Sequence, residues 1–420
     1  MRKFIVTILI LAALTFTSCV YVTTETNSHT TDTSAAEPTL DTVNQPADTS
    51  ETVLSMATTD TEEDTTARPA VKPVRISFLA MGDNLIHSPI FKQSLQGDGS
   101  YDFSPKYEKI ADMVAEADIA FINQETPMCG ADYGYHNYPQ FNTPQAMGKD
   151  LVDLGFDVIC FANNHVADMC YTSRSSILDM LDYTDTLDAM TYGVYRGKED
   201  FDNINVYEFE GVKIAFLAFT YGTNVYDGET EPKGTGAYIP VYSRESVTDQ
   251  MQKAREISDF IIVSMHWGDE NRSGVNDEQR EYAKLLADLG ADVIIGTHPH
   301  VIQPIEWIEG KEGSSTLCYF SLGNGINCQD YWRNMVGICA KFDIVSDGDG
   351  VRVENIGAEP VFTYQKYAYK NVYIMPLSEL TEDIVSDHHC RTKDKAATLE
   401  QIYRIVTDVI SAEYLPDYLK

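Results

Sequence analysis

The chain has 420 residues, 43% of them hydrophobic, and a formal charge of −33 at pH 7. That length accommodates one large domain or two ordinary ones. The charge excludes a nucleic-acid binder, which needs a basic stripe to displace phosphate counterions, and electrostatic docking on anionic lipid; an anionic substrate would need a local positive centre such as a metal.

At the N-terminus, Arg2 and Lys3 precede the apolar stretch Phe4 to Ala13. This stretch is shorter than the roughly 20 residues of a membrane span and reads as an export signal. It ends in "FTSC", which is similar to a bacterial lipobox with Phe16 at the usual aliphatic position. Residues 1–19 are therefore expected to be a lipoprotein signal peptide, cleaved before Cys19 with lipidation of that thiol. The protein would then be exported and held on the bacterial cell membrane, outside the cell or facing the periplasm. Plain secretion, with Cys19 incidental, is the simpler alternative. Residues 20–74 are rich in Thr, Ser, Asp, Glu and Pro and lack periodic apolar positions. Such a segment cannot bury enough surface to fold and reads as a tether.

From Arg75 the texture changes. Strands are expected at 74–82, 117–123, 156–162, 212–220, 259–266, 291–297 and 316–323. These runs are almost continuously apolar, as in strands buried on both faces, so helices should cover the sheet. Helices are expected at 106–117, 144–155, 243–258 and 276–290. Helix alternating with strand gives an α/β class. The stretches "LVDLGFDVICFANNHV" and "LLADLGADVIIGTHPHV" use one unit twice: a helix ending in Asp-Leu-Gly, a buried strand and a His-containing loop. The main domain spans 75–345. Residues 346–420 are expected to be an extension packed on it, with an amphipathic helix at 396–411 and with His388 and His389 in a charged surface loop. Beyond Cys19 there are seven cysteines and no CxxC. A zinc ribbon is therefore not expected, whereas one or two disulfides would suit an exported chain.

Unusual polar residues fall at the C-terminal ends of the buried strands. They are Asp83, Asn84 and His87; Asn123 and Glu125; Asn163, Asn164, His165 and Asp168; His266, Asp269 and Glu270; His298 and His300; and Asn324. Ligands bind at the carboxyl ends of strands in α/β sheets, so six loops can converge on one site. Oxygen donors mixed with imidazole suit Mn, Fe or Zn rather than a calcium cage or a thiolate site, and two ions could share a bridging carboxylate. Pro299 disfavours helical geometry at His298, so His298-Pro299-His300 is expected to be extended, with both imidazoles on one side. Each piece has a plainer reading as a turn or a satisfied core residue. No GxSxG elbow or P-loop is present.

The ordered segments "MGDNLIHSPI", "FINQETP", "FANNHVADM", "MHWGDE", "GTHPHVIQPIE" and "YFSLGNGI" resemble the CapA family of capsule, or poly-γ-glutamate, biosynthesis proteins over roughly residues 75–345. That family is similar to the calcineurin-like metallophosphoesterases. The resemblance implies a metallophosphoesterase-like sandwich of two mixed β-sheets flanked by helices, with two divalent transition metals. It implies Asp83, Glu125, Asn164, His266, His298 and His300 as metal ligands, with Glu125 as the bridge. His165 would be the acid or phosphoryl stabiliser. Asn163 and Asn324 would line the substrate pocket, with Asn123 and Trp267 beside them. The phosphoesterases use Asp-x-His first and Gly-Asp-x-x-Asp second, whereas this chain has "DNL" and "NQE". His87, four residues after Asp83, is the candidate to replace the first-motif histidine and, with His165, a candidate catalytic residue. The functional expectation is a cell-surface hydrolase or transferase acting on phosphate-ester or amide bonds of an envelope polymer. The alternative is a non-catalytic component that binds or anchors the polymer, which a membrane synthase complex could recruit.

Overall fold

A computed structural model of the chain describes residues 73–226, 228–348 and 350–420. The expected signal peptide, Cys19 and nearly all of the tether lie outside the described residues. Fourteen strands are present among the described residues. In chain order they are β1 (Val74–Asn84), β2 (Ile119–Asn123), β3 (Val158–Cys160), β4 (Met190–Tyr192), β5 (Asn205–Phe209), β6 (Val212–Thr220) and β7 (Phe260–His266), then β8 (Val293–Thr297), β9 (Ile305–Glu309), β10 (Ser315–Tyr319), β11 (Asn324–Ile326), β12 (Val336–Asp347), β13 (Gly350–Lys366) and β14 (Lys370–Pro376).

They form two mixed sheets. The first runs β14-β13-β12-β1-β2-β3-β4, with β11 also on β1, and the second runs β5-β6-β7-β8-β10-β9. Pairing is parallel through β1-β2-β3-β4 and through β6-β7-β8-β10, and antiparallel where β12, β13, β14, β5 and β9 join. The period-2 pleat explains the continuous apolar runs. In β1, Ile76, Phe78 and Ala80 face the second sheet, in one core with Phe216, Ile262 and Ile295, while Leu79 and Met81 belong to a separate cluster with Tyr107, Val114 and Leu151 from the helical segments. Phe78 stacks on Phe342 at 4.8 Å and on Phe216 at 6.3 Å. In β7, Ile261, Val263 and Met265 turn outward onto helices Arg244–Ile257 and Asp277–Asp288. Capping boxes start both helices, Ser243 with Ser246 and Asn276 with Gln279. The architecture is the expected α/β sandwich of two mixed sheets flanked by helices.

Several local expectations are corrected. The helix expected at 106–117 is broken into Ser104–Tyr107, a 3-10 turn Glu108–Ile110 and Ala111–Ala115. Residues 346–420 do more than pack against a finished domain: β12 crosses the expected boundary, and β13 and β14 extend the first sheet. His388 and His389 are buried, not surface residues. His388 Nε2 lies 3.0 Å from the Thr363 carbonyl oxygen, and its ring lies 4.9 Å from Trp332. The seven cysteines among the described residues are all free and buried, so no disulfide is present among them. No helix among the described residues is long and apolar enough to cross a membrane.

Candidate metal centre

The two sheets bring their carboxyl ends together on one side of the sandwich. β1 delivers Asp83, the turn after β2 delivers Glu125, β7 ends on His266, and the loop after β8 carries His298 and His300. The ligand atoms of Glu125, His266 and His298 all lie within 4.8 Å of one another, and so do those of Asp83, Glu125 and His300. All five residues are buried, and Glu125 is common to both groups.

Glu125 is the chemical anomaly. Both of its carboxylate oxygens are buried without a hydrogen-bond partner. An isolated buried carboxylate is costly unless a cation compensates it. Burial pushes its pKa well above the usual carboxylate range, Asp83 and Glu270 add to the rise, and His300 opposes it. Glu125 Oε1 lies 3.6 Å from His300 Nε2 and 3.8 Å from His266 Nε2. His298 Nδ1 is likewise buried and unpartnered. Three orphaned donor atoms pointed at one place fit a metal better than they fit a closed protein core.

The imidazoles are prepared differently. Burial, followed by the neighbouring histidines, lowers the pKa of His266 and His298 well below the usual value, so both are neutral, as metal ligation requires. His266 Nδ1 is 2.9 Å from Thr297 Oγ1, which leaves Nε2 facing Glu125 and Asn164 Oδ1, the latter at 2.9 Å. Burial would also lower His300, but Glu125 and Asp83 outweigh it and raise this imidazole to about 10. His300 Nδ1 is 3.0 Å from Asp83 Oδ2 and 3.1 Å from Asn324 Oδ1.

The His-Pro-His backbone corrects the extended expectation. His298 has φ +96° and His300 has φ +58°. Non-glycine residues held at positive φ cost about 1–3 kcal/mol each and persist where the surroundings fix them. Here Asn324 Nδ2 and Asn334 Nδ2 both donate to the His300 carbonyl, each at 3.2 Å. The His298 amide approaches both Asp83 oxygens at 3.3 and 3.4 Å. The imidazoles are aimed by left-handed turns, not by extended alternation.

The remaining candidates divide. Asn164 joins the centre through His266. Asn123 Nδ2 donates to Asp83 Oδ1 at 2.8 Å, and Asn324 holds His300, so both orient ligands rather than face a substrate. Asn163 takes the His165 amide at 3.1 Å and donates to the Gln124 carbonyl at 3.0 Å, which makes it a loop brace. Trp267 is fully buried, stacks on Phe320 and donates to the Phe320 carbonyl at 2.9 Å; it is core, not substrate contact. His87 does not replace a ligand. Its ring meets Phe141 edge-on at 5.3 Å, and Phe141 in turn meets His165 at 4.8 Å. The Cys328 amide reaches its Nδ1 at 3.2 Å, and burial lowers its pKa to about 4. Thus His87 is a neutral packing imidazole.

His165 stands beside the metal-facing group. Its Nδ1 is 2.8 Å from Asp168 Oδ2, and that oxygen also accepts the Phe141 amide at 2.7 Å. The carboxylate orients the ring and leaves Nε2 as the nitrogen able to hold or release a proton. A cavity of about 310 Å³ opens here, lined by Tyr138, Gln140, His165, Asp168, Tyr171, Asn224 and Glu270. The sequence reading missed Tyr221, whose ring lies 4.7 Å from that of His298 and 6.3 Å from that of His266. It also missed Asn224, whose Nδ2 is 3.1 Å from His165 Nδ1. Tyr221 follows β6 directly, so its position at a strand end was the available signal; Asn224 sits in a loop with none.

The calcineurin-like phosphoesterase YfkN from Bacillus subtilis superposes with a TM-score of 0.42 at 14% identity, covering 79% of this chain and 99% of that one. PGA biosynthesis protein CapA of Bacillus subtilis (strain 168) is 31% identical over 202 residues, 48% of this chain and 50% of that protein. Capsule biosynthesis protein CapA of Bacillus anthracis is 26% identical over 205 residues, 48% of each chain. This chain therefore spans about half the length of the curated relatives it matches. The family described as bacterial capsule synthesis protein PGA_cap matches residues 77–329, more than half of the chain, and runs from β1 through the last strand end of the site. The chain belongs to the bacterial capsule synthesis protein PGA_cap family.

Proposed function

We propose that the chain is a metal-dependent hydrolase or transferase of the cell envelope, acting on phosphate-ester or amide bonds in the synthesis of poly-γ-glutamate or a related polymer. One observation carries this reading: Glu125, with both oxygens buried and unpartnered, is shared by two groups of potential ligands. Glu125, His266 and His298, with Asn164, would hold one divalent ion, and Asp83, Glu125 and His300 the other. A metal bound there supplies a Lewis acid and a water of lowered pKa. His165, oriented by Asp168, can give a proton to a leaving group in the cavity beside it. The lipid anchor expected at Cys19 would keep this site on the outer face of the membrane.

A second reading, a polymer-binding or anchoring component without catalysis, draws on a different observation. Among the described residues no lysine or arginine lines the cavity at His165, so none of them offers a side-chain cation to neutralise a transferred phosphoryl group. Metal analysis of the purified chain, combined with hydrolysis assays on a phosphodiester and on poly-γ-glutamate, separates the two. The enzyme reading expects transition metal and turnover, both lost in His298→Ala. Retained metal without turnover selects the second reading. Absence of both removes the metal-dependent reading altogether.

A further inference from the structure

β6 ends in Phe219-Thr220, and Tyr221 is the first residue beyond it. Phe219 turns outward into the helix-facing core, and Thr220 is fully buried. Tyr221 is different: it is held firmly, yet 39% of it stays exposed. Its amide donates to the His266 carbonyl at 3.1 Å, which ties the end of β6 to the end of β7. Its ring lies 9° from the plane of His266, with centroids 6.3 Å apart, and packs tilted on His298 at 4.7 Å. One side of the ring thus rests on two of the metal-facing imidazoles, and the core does not need the other side.

The neighbours of the phenol place it between the metal-facing group and the cavity at His165. Burial, Glu270 and Glu125 push it up to about 12, and Asn164 opposes them. Glu125 and Asn164 belong to the centre, whereas Glu270 lines the cavity. Asn164 gives its oxygen to His266 at 2.9 Å and so turns its amide nitrogen toward the phenol, which leaves the phenolic hydrogen available. Other donors nearby are committed. Asn224 Nδ2 meets His165 Nδ1 at 3.1 Å, and Asn123 Nδ2 and Asn163 Nδ2 go to Asp83 and to the Gln124 carbonyl. Attack on a phosphate ester or an amide drives electrons onto the phosphoryl or carbonyl oxygen, and that oxygen needs a donor. Among the described residues the cavity offers it no lysine or arginine.

We infer that Tyr221 is a catalytic residue whose hydroxyl donates a hydrogen bond to the substrate oxygen that gains negative charge. The inference rests on the proposed function and adds a substrate contact to it. No proton leaves Tyr221 in this step. The oxygen gains electron density as the nucleophile adds, Tyr221 keeps its hydrogen, and the leaving group takes its proton from His165. A phenol suits the task because it is a protonated donor at neutral pH and carries no charge that would compete with a metal ion. Its direction is set in advance by the backbone bond to His266 and by the packing on His266 and His298, and a donor fixed before the reaction stabilises the developing charge without reorganising.

The test is calorimetric titration of inorganic phosphate, a stand-in for the charged oxygen, into the full chain loaded with Mn. Tyr221→Phe keeps the ring on the two imidazoles and removes only the donor. Expected is phosphate affinity about tenfold weaker, the loss of one hydrogen bond to a charged group, at unchanged metal content. In a phosphodiester assay kcat/KM should fall by about 10²-fold, mainly through kcat. Tyr221→Leu removes both ring and donor, and Tyr221→Gln returns a donor without the ring. The Gln variant should hold phosphate more tightly than the Leu variant, and this pair decides the matter if Tyr221→Phe does not fold. Tyr418→Phe, whose hydroxyl meets Glu359 on β13 at 3.4 Å, should behave as the parent. Equal phosphate affinity in the parent and Tyr221→Phe overturns the inference. Loss of metal in Tyr221→Phe also overturns it, because Tyr221 would then be a positioning residue for the imidazoles. A metal-loaded parent that does not bind phosphate overturns it as well and leaves the metal centre standing. A parent that binds no metal removes the proposed function and this inference with it.

Discussion

His266 Nε2 lies 3.8 Å from Glu125 Oε1, and no donor among the described residues reaches either oxygen of that carboxylate. A buried anion in that condition stores a penalty that a metal relieves. Glu125→Gln keeps the shape and removes the charge. In chelator the variant should be more stable than the parent, by about 1–3 kcal/mol. With added Mn or Zn the order should reverse, because only the parent gains stability from the ion. Thermal melts with and without metal read both effects. A variant that is less stable in chelator, or that gains as much from metal as the parent, would sink the assignment.

The two ligand groups should fill at different pH. His266 and His298 are held neutral because burial lowers them well below the usual histidine value, so an ion binding there displaces no proton from either ring and only the proton that burial favours on the shared Glu125. His300 is raised to about 10, so an ion binding to it must displace a proton throughout the neutral range. The sign follows: affinity for the second ion rises with pH and weakens as pH falls, by up to tenfold per unit for one proton. Metal titration monitored by calorimetry should find one equivalent near about pH 6 and two near about pH 9. Parallel pH dependence for both equivalents would refute the distinction between the two groups.

Asp168 positions His165 without touching the metal-facing set. Asp168→Asn should therefore retain metal while lowering turnover of a phosphodiester by about 10²–10⁴-fold, the usual scale for misplacing a general acid. Loss of metal along with turnover would assign Asp168 a structural role instead.

The sequence was most informative where physics acts over a few residues. β6 and β7 were legible to within one residue because a strand buried on both faces leaves a continuous apolar run. Asp83, Glu125, His266, His298 and His300 were legible because polar residues at buried strand ends have few structural reasons to be there. What stayed hidden depends on distant partners. Asn123 and Asn324 look like substrate contacts in sequence, but Asp83 and His300 claim them in space. His87 sits close to Asp83 in sequence, yet the Phe141 ring packs against it and separates it from His165. The left-handed turns at His298 and His300 run against the local preference of these residues and are fixed by Asn324 and Asn334, which lie well downstream.

The geometry of the centre also depends on a backbone approach with no room for a side chain. A Cβ at Gly82 would lie 2.0 Å from the Gly323 carbonyl oxygen and 3.0 Å from Leu322 Cβ. That contact sits where the Asp83 amide donates to the same carbonyl at 3.0 Å and where β1 and β11 pair Asp83 with Asn324. Gly82→Ala must push β11 away from β1, and with it Asn324 and the imidazole of His300. The expected outcome is a stability loss of about 1–3 kcal/mol and loss of the ion at Asp83, Glu125 and His300. The ion at Glu125, His266 and His298 should remain, since neither imidazole is braced by β11. Gly97→Ala is the matched control, because a Cβ there meets nothing within 4 Å. It should change stability by less than about 0.5 kcal/mol. Chemical denaturation and metal counting on both variants test the point, and equal behaviour of the two would mean that the close approach at Gly82 does not set the site.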